Sequence, residues 1–209
     1  MALTQTAAPA SYLAVTLAEA KRQLRMEETT ADDTLISDVL IPAAYDRAEL
    51  ATQRQLFTAT WALKLDAFPC ADRIELPRPP LRSVTSVAYV DTNGDAQTWA
   101  SSNYLSDAVA TPITPRCQRG RLALAYGVSW PSTRSQINAV TITFSAGYGT
   151  ATTDLPKLLR QAILLDLTRL YEHRDQVITG TIVAELPGGS RDIYRSYRSY
   201  PGTYAVWTD

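Results

Sequence analysis

Residues 154–174, DLPKLLRQAILLDLTRLYEHR, carry more apolar side chains than a single buried helical stripe needs. Asp154 is placed to cap a helix, and Pro156 falls near the first turn, where a missing N–H costs nothing. From Leu155 to Tyr171 the apolar positions fall on more than one side of the axis, so the helix must be covered on more than one side. In a chain of 209 residues the cover is either the rest of the domain or another subunit.

Upstream, the hydrophobic period changes twice. Thr16 and Glu19 form a capping-box pair ahead of Leu17, Ala20 and Leu24, predicting a helix over residues 16–29. Thr30, Asp32 and Asp33 start a second one over residues 31–53, with Ile36, Leu40, Ala43 and Ala44 near the helical repeat. Pro42 removes a backbone donor inside it, so a kink is expected around residues 38–42. The period then falls to two. Residues 57–66 alternate as a half-buried strand; 74–76, 83–90, 96–99, 121–126 and 139–145 are β-prone; Asn93-Gly94 marks a hairpin turn.

This order predicts an α+β fold: a bundle of about three main helices (16–29, 31–53 and 155–174), an inserted antiparallel β-rich block over 56–146, and an extended C-terminal tail. Residues 1–15, Ala-, Thr- and Pro-rich at the start, are expected to form an arm; 16–175 make the main domain, and 176–209 the tail. Four tyrosines, one tryptophan and three arginines fall in the last twenty positions, types that anchor interfaces through large rigid area with a polar handle.

Chemistry has little to work with. His173 is the single histidine and stands at a helix end, where its ordinary role is surface polarity or a favourable dipole interaction. One histidine with two distant cysteines, Cys70 and Cys117, suits neither a zinc site nor a disulfide framework. Gly147-Tyr148-Gly149 lacks the Lys-Ser/Thr that completes a phosphate cradle. No catalytic residue, metal or cofactor is expected, and the enzyme class is set aside. A formal net charge of −1 gives no electrostatic case for wrapping nucleic acid. No apolar run reaches membrane-spanning length and the N-terminus lacks a signal-peptide pattern, so a protein made and kept in a cytoplasm, or assembled there, is expected.

Three stretches together resemble the tailed-bacteriophage head–tail connector (adaptor, head-completion) proteins. They are Thr16-Leu17-Ala18-Glu19-Ala20-Lys21 through Asp32-Asp33 and on to Glu49; Ile74-Glu75-Leu76-Pro77-Arg78-Pro79-Pro80-Leu81 with the strand after it; and Phe144-Ser145-Ala146-Gly147-Tyr148-Gly149 with the helix ending Tyr171-Glu172-His173-Arg174-Asp175. Leu186-Pro187-Gly188 and Tyr197-Arg198 resemble the family's ending, whereas residues 91–130 match no part of its pattern. The resemblance implies a non-enzymatic virion protein at the head–tail interface. It would form a ring, expected to be dodecameric, under the portal protein. That ring would extend the channel through which double-stranded DNA passes without sequence-specific binding, and would receive the next connector or tail protein. It further implies a portal-docking role for Tyr194, Arg195, Tyr197, Arg198 and Tyr200, and turns 155–174 into a subunit-packing helix using Leu158, Leu159, Ala162, Leu165 and Arg169. The competing reading is a protein- or carbohydrate-binding module in the β-rich block, with Trp99 and Trp130 as platforms and Trp61 in the core.

Overall fold

A computed structural model describes residues 1–9, 14–108, 119–173 and 188–199. These fall into two compact units, one built from residues 1–9, 54–108, 119–148 and 199, the other from 14–53, 149–173 and 188–198. The first holds the strands and the second the long helices.

The β unit contains a five-stranded antiparallel sheet in the order β1-β2-β8-β4-β5 and a three-stranded one, β3-β7-β6. The strands are β1 (Ala2–Ala7), β2 (Ala59–Leu65), β3 (Arg73–Leu76), β4 (Leu81–Val90), β5 (Ala96–Trp99), β6 (Tyr104–Ser106), β7 (Gly120–Leu124) and β8 (Val140–Ala146). The inserted block is therefore two sheets, and the first of them recruits the N-terminal residues. Ala2–Ala7, expected within an arm, pairs with β2 from Ala2 opposite Lys64 to Ala7 opposite Thr60. Its composition carries no alternation to announce this; the open edge of β2 supplies the partner. Burial in β8 alternates strictly, with Val140, Ile142, Phe144 and Ala146 inside, as expected of a strand with period two. Trp61 and Leu63 of β2, Leu76 of β3, Leu122 of β7 and Val87 of β4 join them in one apolar core to which both sheets contribute.

The Arg-Pro-Pro and Gly-Tyr-Gly stretches meet in space. Gly147 N donates to Pro80 O at 2.9 Å, Tyr148 N to Leu56 O at 2.9 Å, and Gln55 N to Pro79 O at 3.0 Å. Arg82 donates to Tyr148 O at 2.8 Å, and the fully buried Arg54 guanidinium reaches the Tyr148 hydroxyl at 3.2 Å. Arg78 lies over the Trp61 ring at 5.2 Å, and the Trp61 indole N–H donates to the Gln55 side chain at 3.0 Å. Gly147 is required where it stands: its φ is +132°, and an added Cβ would lie 2.6 Å from the backbone of Phe57 and Thr58.

In the helical unit, α1 (Leu17–Leu24) begins as expected. Thr16 accepts from Glu19 N at 3.2 Å, and Glu19 accepts from Thr16 N at 2.9 Å. It ends earlier than the acidic run at Glu27 implied, because Arg25 takes the left-handed conformation at φ 57°. The second helix is continuous, but its middle is widened. The α-helical turn α2 (Asp33–Leu35) passes into a π-helical stretch, Ile36–Leu40, and then into α3 (Ile41–Thr52). This π turn stands where a kink is expected, directly ahead of Pro42, which has no N–H to continue the regular ladder. The long helix, α4, runs Lys157–Glu172. Asp154 does not cap it: Pro156 occupies that position, and the Asp154 carboxylate instead accepts from Thr150 N and Ala151 N at 3.0 and 2.9 Å. Leu155, held extended ahead of the proline, separates the two. The tail, expected to be extended, contains the helix α5 (Ser190–Tyr197). Eight residues give too short a window for a period to stand out; docking rather than propensity holds a helix of this length.

Gly147→Ala is expected to destabilise the protein by about 2–4 kcal/mol, because strain at a positive φ and a backbone clash add. A denaturant titration against the parent protein checks this; a midpoint shift equivalent to a few tenths of a kcal/mol would show that the turn relaxes freely.

Candidate interaction surface

The sequence assigned roles to α4 and to the tail, so the helical unit is where a surface has to be sought. Its α4 is bound on several sides by its own chain. Leu159, Ala162, Ile163 and Leu167 are buried, and α1, α3 and α5 all pack against the helix. Polar ties supplement the apolar contact. Arg160 pairs with Glu19 of α1, and the Tyr171 hydroxyl donates to Asp32 at 2.5 Å.

The strongest tie is Asp166, whose side chain has no exposure to water. Ser190 Oγ, at the start of α5, donates to its Oδ1 at 2.7 Å, and Arg47 Nε of α3 lies 3.2 Å from Oδ2 as an ion pair not aligned as a hydrogen bond. Arg169, one turn along α4, adds a weaker approach at 4.0 Å. Tyr194 of α5 is buried, its hydroxyl within electrostatic reach of Asp166 without meeting hydrogen-bond geometry. Burial first, then the Asp166 charge, pushes its phenol far above the ordinary value, so it remains neutral. One carboxylate therefore joins three helices. A buried carboxylate is tolerated only when paired and hydrogen-bonded, which explains why α5 presents Ser190 to it.

These contacts sort the expected site residues into two groups. Leu159 and Ala162 of α4 are buried within the chain, as are Tyr194 and Tyr197 of α5. The outward group on α4 is Leu158, 54% exposed, with half-buried Leu165 and exposed Arg169. With exposed Gln161 and Glu172 these positions form one stripe at helical spacing. Arg195 of α5 and Arg198, just past its end, are exposed. Tyr200 lies outside the described residues. Asp166, Ser190 and Arg47 were not singled out as a group, since only the fold brings together positions this far apart in sequence.

The aromatic platforms of the competing reading are occupied by one another. Phe68 stacks on Trp130 at 4.9 Å, Trp130 meets Trp99 at 5.0 Å, and Trp99 stacks on Tyr104 at 5.7 Å. Trp99 is buried, and the Trp130 indole donates to Ala71 O at 2.8 Å. These rings are thus engaged with one another, Trp99 inside the core and Trp130 partly exposed at its margin. His173 is exposed just after α4, its backbone N–H donating to Arg169 O at 3.0 Å. Among the described residues no three His, Cys, Asp or Glu side chains gather as a metal site, and no described helix is long and apolar enough to cross a membrane.

No protein-family model matches this chain, and no curated protein matches it. Solved structures do. A chain from the virion of a native gene transfer agent particle is similar with a TM-score of 0.75 at 26% identity, over 97% of this chain and 98% of that one. A chain from the neck of an empty gene transfer agent particle, computed with C6 symmetry, is similar at 0.75 and 25% over the same shares. One from the neck of the native particle, computed with C12 symmetry, shares the fold at 0.70 and 24%, again over 97% and 98%. The fold of this chain is thus, almost end to end, that of components of a phage-like particle, its neck included.

Two substitutions test the ties that hold the helical unit. Asp166→Ala should cost about 1–3 kcal/mol by stranding Ser190 and Arg47, and should speed amide exchange in α5; unchanged α5 protection would show that the carboxylate does not hold that helix. Glu19→Gln should cost about 0.5–1 kcal/mol, toward the low end because both partners are partly solvated. The Thr16 backbone N–H, and after it the Arg160 side chain, hold the Glu19 carboxyl below its ordinary 4.5 against the opposing pull of burial. Its stabilising contribution is therefore present above that value and lost as pH falls through the lower folded one. The gap between parent and Glu19→Gln, measured by denaturant titration across pH, should close in that acidic window and stay constant above it.

Proposed function

We propose that this chain is a structural protein of a phage-like virion neck, a head–tail connector that forms a ring under the portal protein. The ring, expected to be dodecameric, extends the DNA channel and receives the next connector or tail component. The observation that carries this reading is the near-complete coverage, in both directions, by chains of gene transfer agent virion and neck. The three stretches that resemble connector proteins support it, since two of them meet in the Pro79–Pro80 and Gly147–Tyr148 contacts. Near-neutral charge suits a channel through which DNA slides.

In this reading the exposed stripe of α4 is the subunit-packing surface. Leu158, Leu165 and Arg169 face the neighbouring copy, while Leu159 and Ala162 hold the helix in its own unit. The docking element for the portal is α5 together with the residues C-terminal to it: Tyr194 and Tyr197 anchor the helix, and Arg195, Arg198 and Tyr200 meet the partner. Arginines suit that role because a planar guanidinium can bridge carboxylates or stack on rings.

Mass measurement and negative-stain imaging of the purified protein, with and without the portal protein of the same particle, test the reading directly. A ring in either condition is the expected result; a chain that stays monomeric and ignores the portal overturns it. Leu158→Glu should lower the ring fraction about tenfold while leaving unfolding within about 0.5 kcal/mol of the parent. Arg195→Glu should weaken portal binding by a similar factor with the ring intact. It is a cleaner probe than truncation after Gly189, which also removes the Ser190 contact to Asp166.

A further inference from the structure

A ring of more than two identical copies cannot be built from one self-complementary patch; it needs two different surfaces that fit each other. The outer stripe of α4 supplies one, and a second stands on the same helical unit. Three large apolar side chains are exposed among the described residues of that unit: Leu158 of α4, and Val39 and Leu50, which are 52% and 65% exposed. Val39 lies in the π-helical stretch and Leu50 near the end of α3. With exposed Ala43 and Asp46 they make one stripe at helical spacing. The opposite side of α3 carries Ile41, Ala44, Tyr45 and Ala48, all buried. This helix therefore fills its own core with one side and keeps two large apolar residues and a carboxylate on the other.

Charge and side-chain size select the occupant. The α3 stripe offers acceptors: Asp46 within it and Asp38 at its end, both exposed, and no cation stands three or four places from Asp46 on its helix. The α4 stripe offers donors, the exposed Gln161 and Arg169. The two are also of one length, Val39 to Leu50 and Leu158 to Arg169 each extending about 16 Å. Laid antiparallel, Leu50 meets Leu158, the Gln161 amide reaches Asp46, and Arg169 comes beside Val39 and Asp38. Ala43 then faces Leu165, a small residue opposite a large one, which lets two helix axes approach to about 8–10 Å. Glu172 falls past the end of the α3 stripe. Laid parallel, the same stripes set Asp46 against Leu165 and bury a carboxylate without a donor.

We propose that the outer stripe of α3, made of Val39, Ala43, Asp46 and Leu50, receives the outer stripe of α4 from a second copy of this chain. Each ring interface thus pairs α3 of one subunit with α4 of the next. This rests on the ring reading above and names the surface that the α4 stripe meets. Apolar contact supplies the attraction, and the match of carboxylates to donors makes α3 prefer α4 to another α3.

The test uses the full chain in the presence of the portal protein of the same particle. Asp46→Lys and Gln161→Glu, each made alone, should lower the ring fraction about tenfold, since one loses the acceptor and the other sets two carboxylates together. Both on one chain exchange acceptor for donor and should restore the ring, which a merely misfolded variant would not do. Unfolding midpoints of all three should match the parent. A second arm replaces Cys70 and Cys117 by serine. Leu50→Cys and Leu158→Cys, mixed as separate variants and oxidised, should then give disulfide-linked dimers, and Leu50→Cys alone should give none. Ring formation unchanged in both single variants, no recovery in the double one, or Leu50→Cys cross-linking to itself overturns the inference and leaves the ring reading standing. A parent chain that forms no ring even with the portal protein overturns both.

Discussion

A carboxylate shut off from water sits in the middle of α4, and the helical unit is arranged to satisfy it. Asp166 would be prohibitively costly to bury alone; Arg47 and Ser190 make it tolerable, and in doing so fix where α3 and α5 lie against α4. The apolar contacts of Leu159, Ala162, Ile163 and Leu167 are non-directional and would allow the helices to slide. A charged, hydrogen-bonded group permits far fewer arrangements. The aromatic side chains of the tail helix then have a defined place: Tyr194 and Tyr197 turn inward, and the arginines beside them turn out.

In the β unit, directional constraint comes from backbone contacts. Pro79 and Pro80 offer carbonyls to Gln55 and Gly147, and Gly147 approaches Phe57 closely enough that no side chain fits. These ties join the approach to β2, the entry to β4 and the exit from β8. The sheets they connect share one core, in which Trp61 and Trp99 are buried and against which the partly buried Trp130 packs.

The two units also differ in what they leave exposed. The helical unit presents Leu158 and its neighbours along one stripe of α4, while the sheet ends in two uncharged strands.

Much of the local structure was legible in the sequence. The capping box at Thr16 and Glu19, the disturbance ahead of Pro42, the Asn93-Gly94 turn and the alternation of β8 are local, and local chemistry determines them. The β1 strand and the α5 helix were not legible, because neither forms on its own propensity; each exists because an open sheet edge or a buried carboxylate accepts it. The same distinction explains α4. Its sequence determined that the helix would be covered on several sides, since so many apolar residues cannot face water. Only the tertiary structure decided that α1, α3 and α5 pack against it and that Leu158, Leu165 and Arg169 stay on its outer side. Periodicity measures how much surface a helix must bury, while the partner that buries it is chosen by contacts between residues far apart in the chain.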